Sequence, residues 1–471
     1  MATGQILVSC AHSPSIVFEL ALTFRREAIS QYGRPEMTNP ERHKVIILAA
    51  TCAGISIATS FSHALAGDFI ITEQETCAAV GDLAAKRQEW ENDATLGKPS
   101  ALNNLGFLYL MGCGVKQDAE RGREYLEQAA DKGDAQAEHN LGYLYDKGGI
   151  GVAQNSALAF AWYTKSAAKG FAQSELSLAT MYRNGQVGPK DPVRAVELLR
   201  QAAGQGFAPA QFQLGAVYES GEGIERDYAQ AMMLYQKAAA QNDPTALAAI
   251  GYLYEYARGV PQDFVAAMRW YRAAAAVGNP IGENNLGGLY DSGKGVAPDA
   301  AQAAIWFAKA AAQGLPAANT NLGALYASGR GVVQDYQRAV RLFEVAAEKG
   351  EAQGQQNLGV SYLNGKGVPQ SDTEAFFWFR KAAEQNHAGA QHNLGLMYAT
   401  GRGTAVNFPE AFAWLKKSAD LGNAVALNDL GNLYEKGLGV EADRSKALEL
   451  YRRSAALGVA KAKENLQRLL K

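Results

Sequence analysis

The side chains that could do covalent chemistry are few. Ser166-Ala167-Ala168-Lys169 has the S-x-x-K spacing in which a lysine serves a serine nucleophile in acyl transfer, but no S-D-N or K-T-G segment accompanies it. Gly288-Leu289-Tyr290-Asp291-Ser292-Gly293-Lys294 fits the first seven positions of a phosphate-binding loop. The eighth residue is Gly295, which has no hydroxyl to offer a magnesium ion, and the setting is a helix end leading into a loop. His139, His387 and His392 are scattered, without an H-x-x-H spacing or a carboxylate cluster. No nucleophile–base pair, metal site or cofactor site is therefore expected, and the chain reads as non-catalytic.

Each of these fragments belongs to a larger pattern. The string L-G-x-x-Y recurs, with its tyrosine at Tyr109, Tyr145, Tyr182, Tyr218, Tyr254, Tyr290, Tyr326, Tyr362, Tyr398 and Tyr434. The step is 36 residues, once 37. A fixed period of that size means a solenoid of stacked units. In the unit Ala388 to Gly422, helical spacing runs to Tyr398 and Gly401-Arg402-Gly403 breaks it. Asn407 then caps a second helix, which ends at Gly422. The N-cap slot of this second helix, helix B, holds Asp118, Asn155, Asp191, Asp227, Asp263, Asp299, Asp335, Ser371, Asn407 and Asp443. The stop slot holds only Gly or Asn, the residues most tolerant of positive φ. Inside the first helix, helix A, nine units carry a glycine and the third carries Ala179. A mid-helix glycine costs roughly 1 kcal/mol against alanine, so each should mark close approach of a neighbouring helix. A bulky slot on helix B takes Tyr125, Trp162, Leu198, Leu234, Trp270, Trp306, Leu342, Trp378, Trp414 and Leu450, and is expected to be core.

The line Ala388-Gly389-Ala390-Gln391-His392-Asn393-Leu394-Gly395 with Tyr398, the loop Gly365-Lys366-Gly367-Val368 and the helix B alanines resemble the Sel-one-like repeat family, relatives of the tetratricopeptide repeats. The resemblance covers about residues 98–458. It implies an all-α fold, a right-handed α/α superhelical solenoid of about ten two-helix repeats, used for protein–protein contact. Some cysteine-rich relatives are linked to penicillin binding, which makes a penicillin-recognising cell-wall enzyme using Ser166 the rival reading. The regular cysteine pairs of that subgroup are missing here. Other exported relatives inhibit sensor kinases, so an envelope sensor or assembly protein is one kind of partner that the resemblance implies. A cytoplasmic adaptor is the third reading.

Composition is that of an ordinary globular chain, with Lys+Arg 45 against Asp+Glu 47 in 471 residues. Without a basic stripe, nucleic acid is not the expected partner. Residues 1–36 carry no repeat. After Met37 come Arg42, His43 and Lys44, an apolar run from Val45 to Ala58, and Ala64-Leu65-Ala66. That order reads as a signal peptide over 37–66, cleaved after Ala66, with 1–36 an extension before the true start. The expected mature protein is periplasmic or secreted, with no membrane span. Residues 67–97 read as an N-terminal half-repeat cap, with a lone helix B from Asp82 to about Leu96 and Trp90 turned inward. Residues 459–471 read as a C-terminal capping helix. Cys77 and Cys113 lie one repeat apart and form a candidate disulfide in an oxidising compartment. Equivalent sites on stacked units stand about 10 Å apart, so pairing would need local distortion.

Binding should fall where the repeat leaves positions free. On helix A these are three before the glycine, one after and four after, a single stripe at helical spacing. In its N-terminal half the stripe joins Phe107, His139, Tyr143, Phe212 and Tyr252 to the carboxylates Asp146, Glu219, Glu255 and Asp291. If helix A lines the concave wall, as the resemblance implies, this is a groove for a protein or peptide segment with basic and apolar residues.

Overall fold

The computed structural model describes residues 83–148 and 151–470. The proposed leader, the signal peptide and Cys77 lie outside the described residues. Those described form 22 helices and no strand. Helix α1 (Leu83–Thr95) precedes ten helical pairs, and α22 (Ala460–Leu470) follows them. The A helices are α2 (Pro99–Met111), α4 (Ala135–Lys147), α6 (Ala172–Asn184), α8 (Ala208–Ser220), α10 (Pro244–Glu255), α12 (Pro280–Ser292), α14 (Pro316–Ser328), α16 (Ala352–Asn364), α18 (Ala388–Thr400) and α20 (Ala424–Lys436). The B helices are α3 (Ala119–Asp131), α5 (Ser156–Ala167), α7 (Pro192–Gly204), α9 (Tyr228–Ala239), α11 (Phe264–Ala276), α13 (Ala300–Ala312), α15 (Tyr336–Glu348), α17 (Asp372–Glu384), α19 (Phe408–Asp420) and α21 (Arg444–Ala456). From α2 to α22 each helix packs on the next, which makes an all-α solenoid.

Local chemistry sets the helix boundaries. All ten B helices start on the predicted N-cap, whose side chain accepts from a backbone N–H in the first turn. Such a cap stabilises by about 1 kcal/mol over alanine. The N–H of the same residue donates to the carbonyl of the repeat tyrosine, as Asp299 N does to Tyr290 O at 2.8 Å, and so closes the loop in every unit. The stop residues all take positive φ, including Asn242 at 62° and Asn386 at 63°.

The mid-helix glycines face an abutting side chain. A Cβ on Gly215 would lie 2.7 Å from the Tyr235 ring, one on Gly323 2.6 Å from Phe343, and one on Gly395 2.7 Å from Leu415. The facing residue is not the one in the expected bulky slot but the next along helix B: Leu126, Tyr163, Tyr235, Tyr271, Phe307, Phe343, Phe379, Leu415 or Tyr451. That row is buried, with Tyr163, Tyr235, Tyr271, Phe379 and Tyr451 all at 2% exposure or less. Leu198, Leu234 and Leu450 of the predicted core slot are buried too, but its tryptophans are only half-buried. One helical residue is a 100° turn, which swings them to the seam with the preceding unit. There Trp306 leans on the core made by α11 and α12, and Trp414 on that made by α17 and α18. A lysine three residues on covers the outer face of the ring, Lys309 at 4.0 Å from Trp306 and Lys417 at 4.1 Å from Trp414.

Neighbouring A helices also touch directly: α2 with α4, α6 with α8, α10 with α12 and α14 with α16. No pair of neighbouring B helices comes into comparable contact among the described residues.

Candidate protein-binding face

The A helices are joined by a polar zipper along one side. Asn140 Nδ2 donates to Asn103 Oδ1 at 2.8 Å, Asn321 Nδ2 to Asn284 Oδ1 at 3.0 Å, and Asn465 Nδ2 to Asn428 Oδ1 at 3.0 Å. His392 Nε2 and Asp429 Oδ2 make the equivalent link at 2.8 Å. The first row of the predicted stripe, three before the glycine, is therefore partly spent on holding units together.

His139 lies in that row and is committed inward. Its Nδ1 is 2.9 Å from Ser174 Oγ, and its ring packs on Tyr163 and Phe171 at 5.3 and 5.4 Å. Burial without a compensating charge pushes the imidazole down to about 4 from its usual 6.5. Ser174 in turn donates to Ser166 Oγ at 2.8 Å, and Ser166 to Ala135 O at 2.7 Å.

The predicted carboxylates converge on the buried tyrosines of helix B. Tyr235 donates its hydroxyl to Glu219 Oε2 at 2.8 Å, Tyr271 to Glu255 Oε2 at 2.8 Å, and Tyr451 to Glu435 Oε2 at 2.7 Å. Burial first, and the carboxylate next, push these phenols well above their ordinary range. Asp146 acts on Tyr163 in the same direction and pairs with Lys147 at 2.8 Å. Where helix B carries Phe307 instead of tyrosine, Asp291 is gripped through both oxygens by Arg330, at 2.8 Å each. Phe212 stacks on Tyr235 at 5.5 Å, so Phe212 and Glu219 meet on one ring. Tyr252 packs on Tyr256 at 4.5 Å. Phe107 and Tyr143 are half-buried on the same side.

The buried tyrosines are the site residues that the sequence reading missed. The signal was present. Tyr235, Tyr271 and Tyr451 each follow an acid by 16 residues, and Tyr163 follows Asp146 by 17 across the longer unit. The counterparts of Phe343, Phe379 and Leu415 at that spacing are Ala327, Leu363 and Ala399. The acids satisfy buried hydroxyls before they offer charge to a partner.

The motifs with a catalytic look are absorbed by the frame. Ser166 is fully buried and bonded to a carbonyl, and Ser418 and Ser454 make the same bond to Ala388 O and Ala424 O. Lys169 pairs with Glu138 at 2.8 Å. Lys294 follows the end of α12 and lies 5.3 Å over the ring of Phe264 at the start of α11, and the N-terminus of α11 is already capped by Asp263. Among the described residues no group of three or more His, Cys, Asp or Glu side chains is placed to hold a metal. No described helix is long and apolar enough to cross a membrane. Cys113 is 1% exposed and disulfide-bonded, and its partner lies outside the described residues.

Comparison with known proteins agrees with this frame. The Sel1 repeat model matches ten consecutive segments: 99–134, 135–171, 172–207, 208–243, 244–279, 280–315, 316–351, 352–387, 388–423 and 424–459. No curated protein matches the chain. Among solved structures, c5321, a protective antigen present in uropathogenic Escherichia coli strains and displaying an SLR fold, is 29% identical. The match covers 81% of this chain and 90% of that one, with a TM-score of 0.51. A Sel1 repeat protein from Oxalobacter formigenes is 35% identical over 66% of this chain and 89% of its own, with a TM-score of 0.46. A putative Sel1 repeat protein from Klebsiella pneumoniae subsp. pneumoniae is 26% identical over 43% of this chain and 99% of its own, with a TM-score of 0.32. The chain belongs to the Sel1 repeat family, whose members are generally protein-interaction scaffolds.

Proposed function

We propose that the protein is a non-catalytic scaffold or regulator of the bacterial envelope that holds a partner segment along its A-helix face. The observation that carries this reading is the direct apposition of neighbouring A helices, with no like contact between B helices among the described residues. Elements on the inner side of a curved array lie closer than those outside, so the A helices line the concave wall. On that wall Phe107, Tyr143, Phe212 and Tyr252 supply rigid apolar surface to a partner's side chains. Glu219 and Glu255 hold a tyrosine hydroxyl on one oxygen, and the other can accept from a partner's cation. His139 and Asp146 support the wall from behind, and Asp291 meets a partner only in competition with Arg330.

Export is supported by the order of basic, apolar and small residues between Met37 and Ala66 and by the disulfide at Cys113, whose partner we assign to Cys77. Cross-linked affinity capture from the envelope fraction tests the whole reading. The recovered protein should begin near Gly67. Tyr143→Ala/Tyr252→Ala should reduce partner capture about tenfold with unchanged helicity. Unaltered capture by the double variant would remove the groove, and an intact Met1 terminus would remove the export.

A further inference from the structure

Five consecutive units put a cation into the same loop slot: Arg258, Lys294, Arg330, Lys366 and Arg402, at 36-residue intervals. Units one, three and four have Cys113, Gln186 and Glu222 in the matching loop, and unit ten has Leu438. The slot is presented alike each time. Positive-φ residues bracket it, such as Gly293 and Gly295, Gly365 and Gly367, or Ala257 and Gly259 in unit five. The second glycine presses on the first turn of the preceding helix B, and a Cβ there would overlap its atoms.

Each cation leans on the preceding unit. Arg258 Nη1 donates to Tyr228 OH at 2.8 Å, Lys294 stands 5.3 Å over Phe264, and Lys366 stands 5.3 Å over Tyr336. Arg402 takes Asp372 through both oxygens at 2.6 and 3.0 Å. In the remaining case the equivalent residue is Ala300, and Arg330 turns to Asp291 instead. An aromatic face holds a cation without cancelling its charge. Three of the five, Arg258, Lys294 and Lys366, thus have no carboxylate within salt-bridge reach among the described residues. Two of the same loops carry bare apolar surface, Val333 at 88% and Val406 at 55% exposure.

We propose that this loop edge of units five to nine binds an extended acidic segment of a partner protein. Helices pack 8–10 Å apart, so the cations repeat roughly every 10 Å. An extended chain advances about 3.3 Å per residue, so one carboxylate at every third position stays in register. Small apolar side chains between them lie on the loop valines. The reading rests on a scaffold role but uses the adjoining loop edge, which meets the A-helix groove at the Arg330–Asp291 pair, and a partner of opposite charge.

The probe is a fluorescein-labelled peptide of five Glu-Ser-Val repeats, compared with five Lys-Ser-Val repeats and with a peptide of the first composition whose glutamates are contiguous. Anisotropy should show binding of the first alone, weakening about tenfold as salt rises from about 0.05 M to about 0.3 M. Lys294→Gln/Lys366→Gln should weaken it about fivefold, while Tyr143→Ala/Tyr252→Ala leaves it unchanged. Equal affinity for the lysine peptide, or no loss in the lysine double variant, overturns the proposal. Equal affinity for the contiguous glutamates overturns the register, and loss in the tyrosine double variant moves the peptide to the groove. The groove can fail its own capture test without touching this result.

Discussion

At the scale of single residues, the polar side chains of the candidate face do a structural job before any that we propose for a partner. A buried phenol left without an acceptor costs about 1–3 kcal/mol, and Glu219, Glu255 and Glu435 remove that cost. The sequence shows these acids as a charged row, and their facing tyrosines stand one position after the bulky slot of Leu234, Trp270 and Leu450, whose size masks them. His139 shows the same ambiguity, since spacing placed it on the groove and packing turned it to Tyr163 and Ser174. It gives a pH prediction. The folded state keeps this imidazole neutral down to about 4, while the unfolded chain protonates it near 6.5. Its contribution is therefore complete above pH 6.5 and is lost as pH falls from 6.5 toward 4. Between pH 7 and pH 4.5 the wild type should lose on the order of 2 kcal/mol more stability than His139→Gln, as read by denaturant unfolding. Buried Glu175 and Glu283, both raised by desolvation, act in the opposite sense in both proteins and cancel in the comparison.

At the scale of the element, one pair of adjacent glycines separates packing from propensity. A Cβ on Gly287 would lie 2.8 Å from the Phe307 ring, whereas one on Gly288 meets nothing within 4 Å. Gly287→Ala should destabilise by about 1–3 kcal/mol through overpacking. Gly288→Ala should stabilise by roughly 0.5–1 kcal/mol, the ordinary helix gain. Thermal unfolding of the two single variants checks both signs, and a shared sign would refute the packing account of the repeat glycine. The helices themselves were legible because caps and stops are local: ten N-caps and ten stop residues act within one turn of where they stand. Which helix B residue faces the glycine was not legible, because a one-residue choice is a rotation that only the opposing helix settles.

At the scale of the whole molecule, a solenoid transmits little from one end to the other, since each unit contacts only its neighbours. The Cys113 disulfide should therefore act locally. Reduction should remove on the order of 3 kcal/mol from the first units. It should speed amide exchange across α2 to α4 and leave α20 to α22 unchanged. A uniform change along the array would contradict nearest-neighbour stacking. The same quasi-one-dimensional character would let the two proposed edges of one array serve two partners, the A-helix wall in its N-terminal half and the cation ladder in units five to nine.

Taken alone, the sequence determined the period, the two-helix unit, the loop closures and the family, because each rests on residues acting over one turn or on their strict recurrence. The tertiary structure alone decided which side chains are spent. It sent the acids to the tyrosines, His139 into a seam, Ser166 to a carbonyl, and Lys294 and Lys366 onto rings that leave their charge standing. Those choices depend on what the paired helix or an adjoining unit brings into contact, a proximity that no spacing along the chain encodes.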